Sequence, residues 1–205
     1  MIEKGDGQIM FRKRGALFGA LMMISVLLLV SCSNGQIKDA LNYQIEPFEY
    51  QNQDGQKVSL DDLKGKVWVA DFIFTSCETI CPPMTAHMTE LQNRLKEEKV
   101  DAHIISFSVD PEVDSPKKLT EFAKAYPLSF KNWDFLTGYS QSAIEKFAMK
   151  SFKTIVKKPE DEDQVIHQSL FFLVDQEGKV MKNYDGVQNT PYDEIIKDIK
   201  TLNRS

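Results

Sequence analysis

The sequence predicts an α/β domain in which helices flank a mixed central sheet. Residues 67–74 form a nearly continuous apolar run, which is typical of a strand buried on both faces of a sheet, and residues 102–109 are predicted to form the next buried strand. Between these two segments, apolar residues recur at helical spacing from Met84 to Leu95. Strands that alternate with helices imply a parallel or mixed sheet covered on both faces.

The predicted elements begin with a β-hairpin over residues 48–60, which has an Asp-Gly pair at its turn. After the first buried strand, Pro82 and Pro83 suit the first turn of a helix that runs to Glu98, because proline's missing N–H is no loss there. Residues 114–116 open a second helix with an N-cap candidate and an early proline. The remaining predicted elements are a strand at 133–136, a helix at 140–148, a charged excursion at 150–165, a hairpin formed by 166–174 and 179–184, and an amphipathic helix at 191–202.

The first 31 residues are typical of an export signal and are excluded from the predicted fold. A basic cluster at residues 12–14 precedes an apolar run at 15–30, which is shorter than the roughly 20 residues that span a bilayer. The run ends in Leu-Val-Ser-Cys at Cys32, which resembles the bacterial lipobox, where the cysteine is acylated. The alternative is an uncleaved anchor with an incidental cysteine. Either arrangement holds the protein to a membrane, outside the cytoplasm.

We therefore expect a lipoprotein signal peptide at residues 1–31, a lipid-anchored tether at 32–44 and one globular domain at 45–205. The whole chain has a formal charge of −5; the first 31 residues carry +2, which leaves −7 on the remainder. No basic stripe with interleaved aromatic residues is visible, which argues against nucleic-acid binding. We also find no internal repeat and no Gly-rich phosphate loop.

The chemistry of the predicted domain centres on Cys77 and Cys81, which lie four residues apart between a buried strand and a helix. Helix N-termini favour negative charge and lower the pKa of a thiol, so both redox and metal-binding uses gain from this position. Two thiols at this spacing form a disulfide, hold a soft metal ion, or do both at different times. The structural alternative is a plain buried disulfide or two inert core thiols.

Of the three histidines, His167 is the candidate third member of the site. It begins a predicted strand directly after the charged excursion, where it faces the thiol loop if that strand lies near the first buried strand. His87 follows six residues after Cys81 on the same helix, where joint ligation is awkward, so we expect it to be solvated or packed. His103 opens a strand after a charged turn, and we expect a structural role.

Several motifs together resemble the Sco (SenC) family of copper proteins, which are extracytoplasmic relatives of thioredoxin. The resemblance covers about residues 45–200 and keeps the family's order. The segments that carry it are the Cys-x-x-x-Cys-Pro motif at 77–82, the strand into it at 69–77, an Asp-Pro-x-x-Asp-x-Pro loop in 109–116, His-Gln-Ser at 167–169 with Phe-Leu-Val-Asp at 172–175, and Tyr-Asp-Gly at 184–186.

This resemblance implies a thioredoxin-like fold and one copper ion, Cu(I) or Cu(II), held by Cys77, Cys81 and His167. Thiolates suit Cu(I) and imidazole suits either copper state, so the donor chemistry agrees, although the same three ligands could bind zinc. Asp110 follows the next strand at the same sheet edge. We expect it either near the ligands, as an outer-shell group or an occasional extra ligand, or in a structural turn.

The resemblance implies a metallochaperone for the binuclear copper centre of cytochrome c oxidase, with the oxidase's copper-bearing subunit as its partner. The alternative is a membrane-anchored thiol–disulfide oxidoreductase that reduces the oxidase's copper-ligand cysteines through Cys77 and Cys81. A peroxidase is disfavoured, because Arg94 lies about three helical turns beyond the motif. We expect a monomer, lipid-anchored on the outer face of a single-membrane bacterium.

Overall fold

A computed structural model describes residues 37–204 except 161 and 163. The predicted signal peptide, the lipidation candidate Cys32 and the first residues of the predicted tether lie outside the described residues. The described strands are β1 Tyr43–Gln44, β2 Glu49–Gln51, β3 Lys57–Ser59, β4 Trp68–Ile73, β5 His103–Ser108, β6 Trp133–Leu136, β7 Val156–Lys157, β8 Ile166–His167, β9 Leu170–Val174 and β10 Lys179–Asp185. The described α-helices are α1 Cys81–Glu97, α2 Pro116–Ala123, α3 Gln141–Phe147 and α4 Tyr192–Leu202, and a π-helical turn, Ala148–Phe152, follows α3.

The fold is a mixed α/β, thioredoxin-like arrangement around a six-stranded sheet. Its strand order is β1-β10-β9-β4-β5-β6. β4, β5 and β6 pair in parallel, whereas β9 runs antiparallel to β4 and to β10. The parallel strands are joined through helices and the antiparallel pair β9–β10 through a short turn, as the sequence predicted. A separate hairpin pairs β2 with β3.

The sheet centre is buried because β4 and β5 carry apolar side chains on both faces. Every residue of β4 is buried, and Phe72 lies in an aromatic cluster with Phe107 and Phe152. The predicted apolar face of α1 is also buried, with Met84 and Leu95 no more than 1% exposed. These elements hold the carboxyl end of β4, where the cysteines follow, on a rigid support.

The predicted strand at 166–174 is wrong in one respect, since the structure divides it into two strands. β9 joins the main sheet, whereas β8 leaves it and pairs with β7 in a two-stranded ribbon. The break falls at Gln168 and Ser169, where the Ser169 carbonyl accepts a hydrogen bond from Gly186 N and the Gln168 side chain accepts one from Thr154. The division directs His167 away from the sheet and toward the cysteines.

The charged excursion at 150–165 contains more structure than its composition predicts. Phe152 in the π-helical turn, Val156 in β7 and Val165 directly before β8 are buried, so both ends of this segment pack on the core. The π-helical turn ends at Phe152, and the next residue, Lys153, has a left-handed φ of 55°. Apolar residues within this charged segment therefore hold the β7–β8 ribbon, which carries His167, against the core.

The folded unit begins before residue 45, the predicted start of the domain. Ile37 is 5% exposed, and Leu41 N donates to the carbonyl of Met181. Tyr43 then lies in β1, at the edge of the main sheet beside β10. Residues 37–44 are therefore part of the fold. Among the described residues, no helix has the length and apolar character needed to cross a bilayer.

Candidate metal and redox centre

The two cysteines flank the start of α1, directly after the carboxyl end of β4. Cys81 is the first helical residue, and Pro82 and Pro83 occupy the first turn as predicted. The N-cap residue Ile80 supplies no side-chain acceptor. Instead, Cys81 N donates to Sγ of Cys77 at 3.3 Å. A sulfur thus accepts from one of the N–H groups that a helix leaves unpaired at its beginning.

His167 reaches the cysteines from the β7–β8 ribbon. Its Nε2 lies 3.5 Å from Sγ of Cys81, and its ring packs edge-on against Phe74 with a centroid distance of 5.7 Å. Its Nδ1 lies 3.2 Å from the carbonyl oxygen of Gln168, to which it donates when it carries the proton. That tautomer leaves a lone pair on Nε2, directed at the sulfurs, which is the state a metal ligand requires.

These three side chains form one compact donor cluster. The two sulfurs and a ring nitrogen of His167 all lie within 4.8 Å of one another. Cys81 has no exposed surface and Cys77 is 7% exposed, so Cys77 is the sulfur that solvent and partners can reach. An open groove of about 610 Å³ borders the cluster, lined by Phe74, residues 77–80 and residues 164–167.

The two sulfurs differ in charge because each acts on the other. The Cys81 thiol donates a hydrogen bond to Cys77, which is the main reason why the pKa of Cys77 is lowered from its ordinary value. The same hydrogen bond, reinforced by burial, raises the pKa of Cys81. The reduced site therefore holds a thiolate at the accessible Cys77 and a protonated thiol at the enclosed Cys81.

The cluster is chemically suited to one soft metal ion or to a disulfide. Both cysteines are free in this structure, so it shows the dithiol state. Two sulfurs and one imidazole match the preference of Cu(I) for thiolates and of either copper state for nitrogen. The two sulfurs also lie close enough to form a disulfide bond after a modest rearrangement, which would release a bound metal. The donor set thus fits copper, and it links metal binding to redox state.

A buried carboxylate that the sequence analysis missed fixes the loop before Cys77. Asp114 accepts hydrogen bonds from Thr75 Oγ1 at 2.5 Å, from Thr75 N and from Ser108 Oγ at 2.6 Å. Burial raises the pKa of Asp114. Two adjacent segments at the carboxyl edge of the sheet are thereby joined at one side chain. The aspartates of the Asp-Pro-x-x-Asp motif were the available signal, although only the first was singled out.

Asp71, in the middle of β4, is the second residue that the sequence analysis missed. It has no exposed surface, and burial raises its pKa to about 7. A carboxylate inside a fully buried apolar strand was the available signal, because such a residue is costly unless it is paired or functional.

The other candidate residues lie outside the three-residue cluster. Asp110 is buried at the end of β5, where its carboxylate accepts from Nζ of Lys158 at 2.7 Å and its carbonyl accepts from two turn N–H groups. His87 bonds the Tyr192 hydroxyl, and His103 pairs with Asp134 at 2.8 Å. Both histidines thus have the packed or structural roles that their positions predicted.

The fold and the site together define a thioredoxin-like protein with a two-cysteine, one-histidine centre at the carboxyl edge of its sheet. The family model described as SCO1/SenC matches residues 38–204. The chain therefore belongs to the SCO1/SenC family. It is 70% identical over 175 residues to the SCO1 protein homolog of Bacillus subtilis, and the match covers 85% of this chain and 91% of that protein.

Three solved structures resemble the fold over most of its length. BsSco, described as a member of the Sco family of cytochrome c oxidase assembly proteins with a disulfide switch, is 71% identical, with a TM-score of 0.77 over 82% of this chain and 97% of that one. A SCO1/SenC family lipoprotein from Bacillus anthracis is 52% identical, with a TM-score of 0.79 and coverage of 81% and 98%. ScoI from Arabidopsis thaliana, solved with copper bound, is 29% identical, with a TM-score of 0.64 and coverage of 76% and 97%.

Proposed function

We propose that this protein binds one copper ion through Cys77, Cys81 and His167 and acts in the assembly of cytochrome c oxidase. The observation that carries the proposal is the convergence of two sulfurs and one ring nitrogen within 4.8 Å. A solved relative with copper bound supports the choice of metal. When bound, copper is the cargo that the oxidase requires, and the three side chains are its ligands.

The partner that we propose is the oxidase subunit that bears the binuclear copper centre. The similarity to a member of a family of cytochrome c oxidase assembly proteins supports this choice. The groove also has an apolar rim, since Ile80 and Ile166 are 39% and 58% exposed beside it. Such side chains offer a protein partner contact area around the accessible sulfur.

A thiol–disulfide oxidoreductase is the second candidate function, and the electrostatics of the site favour it specifically. A lowered pKa makes Cys77 a thiolate, which is the attacking form in disulfide exchange, and its exposure exceeds that of Cys81. Attack by Cys77 on a partner disulfide forms a mixed disulfide and releases one partner thiolate. Cys81 then attacks Cys77, releases the second partner thiolate and leaves an internal disulfide. Its proton passes to a released thiolate or to solvent.

We further propose that the chain is lipid-anchored through Cys32 at the outer face of the cell membrane. The lipobox-like ending before Cys32 and the likeness to a SCO1/SenC family lipoprotein support this location. An anchor places the protein on the same membrane as its partner, which raises their effective concentration.

Absorption and EPR spectra of the reduced protein with one equivalent of Cu(II) test the copper proposal. We expect thiolate-to-copper charge-transfer bands that are lost in Cys77→Ser and Cys81→Ser and altered in His167→Ala. Far-UV circular dichroism should show that Cys77→Ser keeps its fold, since no disulfide is needed to hold this core. Substoichiometric copper binding that His167→Ala leaves unchanged would contradict the proposal.

The oxidoreductase hypothesis is tested by mixing the reduced protein with an oxidised peptide that carries two cysteines at copper-ligand spacing. Transfer of two electrons should yield the reduced peptide and the Cys77–Cys81 disulfide. Absence of exchange, in a preparation whose thiols titrate as free, would remove this candidate and leave the copper proposal standing.

A further inference from the structure

Asp71 is a buried carboxylate that no contact in the described structure accounts for. It lies in the centre of β4 with 0% of its surface exposed, and neither carboxylate oxygen has a hydrogen-bond partner among the described residues. Its register partner on β5 is Ser106, whose hydroxyl accepts from the indole N–H of Trp133. Burial raises the pKa of Asp71 by more than the Ser106 hydroxyl lowers it, and no hydrogen bond of ordinary geometry joins the two side chains.

An unpaired carboxylate in this position destabilises the fold, because ionisation in an apolar interior is costly. An apolar side chain of similar size would suit a strand whose other residues are all buried. The stability that Asp71 costs is offset only by an effect of its charge on other groups. β4 leads directly into the cysteine loop, six residues before Cys77.

The charge of Asp71 acts on the cysteine–histidine cluster through the protein interior. It contributes to raising the pKa of the Cys81 thiol, and His167 in turn acts on Asp71 to offset the effect of burial. Because burial raises the pKa of Asp71 to about 7, the negative charge is present in a substantial fraction of molecules at neutral pH. A change of charge on the cluster therefore changes the pKa of Asp71, and a change of charge on Asp71 changes the pKa of Cys81.

We propose that Asp71 determines which redox and metal-bound states of the site are favoured. Its carboxylate favours the states in which the cluster carries less negative charge. In the metal-free protein, the disulfide is neutral, whereas the reduced pair holds the Cys77 thiolate, so Asp71 favours the disulfide. In the metal-bound protein, two thiolates with Cu(I) carry one net negative charge and with Cu(II) none, so Asp71 favours Cu(II) over Cu(I). The second statement rests on the proposed copper function, and the first does not.

The metal-free equilibrium is measured with the full chain in detergent, in glutathione buffers of defined composition. Two glutathione thiols reduce the Cys77–Cys81 disulfide and become one glutathione disulfide. Of their two protons, one goes to Cys81 and the other is released to the buffer, because Cys77 stays a thiolate. We expect Asp71→Asn to increase the equilibrium constant for reduction on the order of tenfold, the factor that corresponds to one pKa unit. Asp71→Ser, a second neutral variant, should shift it in the same direction.

Asp134→Asn is the matched control, since it removes a carboxylate from the same sheet beside His103, at the amino end of the parallel strands. We expect its glutathione equilibrium to match that of the wild type. Near-UV circular dichroism on every variant checks that the core is intact. An unchanged equilibrium in folded Asp71→Asn, or an equal shift in Asp134→Asn, overturns the proposal.

The copper arm compares Cu(I) and Cu(II) affinities by competition with chelators specific for each oxidation state. We expect the ratio of Cu(I) to Cu(II) affinity to rise about tenfold in Asp71→Asn, for the same electrostatic reason. If the wild type bound no copper, the proposed function would fail, while the glutathione equilibrium would still decide the role of Asp71. A ratio that falls in Asp71→Asn would contradict the inference directly.

Discussion

The backbone N–H of Cys81 donates a hydrogen bond to Sγ of Cys77 at 3.3 Å, so one sulfur of the pair caps the helix that begins at the other. This contact couples the charge of the site to the start of α1. A thiolate at Cys77 is stabilised by the helix N-terminus and by the Cys81 thiol, whereas a thiolate at Cys81 is disfavoured by the Cys77 side chain and by burial.

The reactivity of Cys77 should depend weakly on pH. Because its pKa is lowered, the thiolate persists as pH falls from 8 to 6, and we expect the alkylation rate to change less than about threefold. A free cysteine loses about tenfold per pH unit below its ordinary pKa of about 8.5. Iodoacetamide labelling followed by mass spectrometry of the Cys77 peptide measures the rate.

Substitutions at Cys81 separate the hydrogen bond from the rest of this effect. Cys81→Ser keeps a hydroxyl donor to Cys77, whereas Cys81→Ala removes the donor. We expect the alkylation rate at pH 6 to fall roughly tenfold further in the alanine variant than in the serine variant, since the pKa of Cys77 rises without its donor. Equal rates in the two variants would show that the side chain of Cys81 does not hold the charge on Cys77.

Copper should stabilise the reduced protein against unfolding, and His167 should be required for the full effect. A ligand present at 100 times its dissociation constant stabilises the native state by about 2.7 kcal/mol. We expect a smaller rise in melting temperature with copper for His167→Ala than for the wild type. His87→Ala is the matched control because His87 bonds Tyr192 and lies outside the cluster. Thermal unfolding with and without a chelator measures these shifts.

Asp114→Ala should destabilise the fold by about 2–4 kcal/mol, since it leaves Thr75 N, Thr75 Oγ1 and Ser108 Oγ without their acceptor. Urea unfolding measures the change. Asp62→Ala is the control: Asp62 also accepts from a hydroxyl and an N–H, both of Ser59, but it is exposed. We expect its loss to cost less than about 1 kcal/mol. Similar costs for the two substitutions would contradict the importance of burial here.

Gly186→Ala should disturb the point at which β9 and β8 separate. A Cβ at this position would lie 2.9 Å from Cε1 of Phe171 and 3.2 Å from the Ser169 carbonyl oxygen. Phe171 is fully buried, so relief requires a backbone shift, and we expect a loss of about 1–3 kcal/mol. Asn183→Ala, on the exposed side of β10, should change stability by no more than about 0.5 kcal/mol. Urea unfolding measures the free energy of unfolding of both variants.

Much of the fold could be predicted because it depends on local pattern. The run from Trp68 to Ile73 is apolar except for Asp71, which is typical of a strand buried on both faces. Ser115 before Pro116 predicted a helix start, and the Ser115 hydroxyl does accept from Lys118 N. The predicted strand at 133–136 matches β6 residue for residue. In each case the neighbours along the chain contain the signal.

The sequence by itself also determined the two sulfurs of the site, because Cys77 and Cys81 are close in the chain and bracket a helix start. Only the tertiary structure decided where His167 lies. The apolar pattern through 166–174 is continuous, so the break between β8 and β9 arises from long-range hydrogen bonds to Gly186 and Thr154. The asymmetry of charge between the two thiols and the unpaired state of Asp71 were likewise decided by burial, which depends on every element packed around the site.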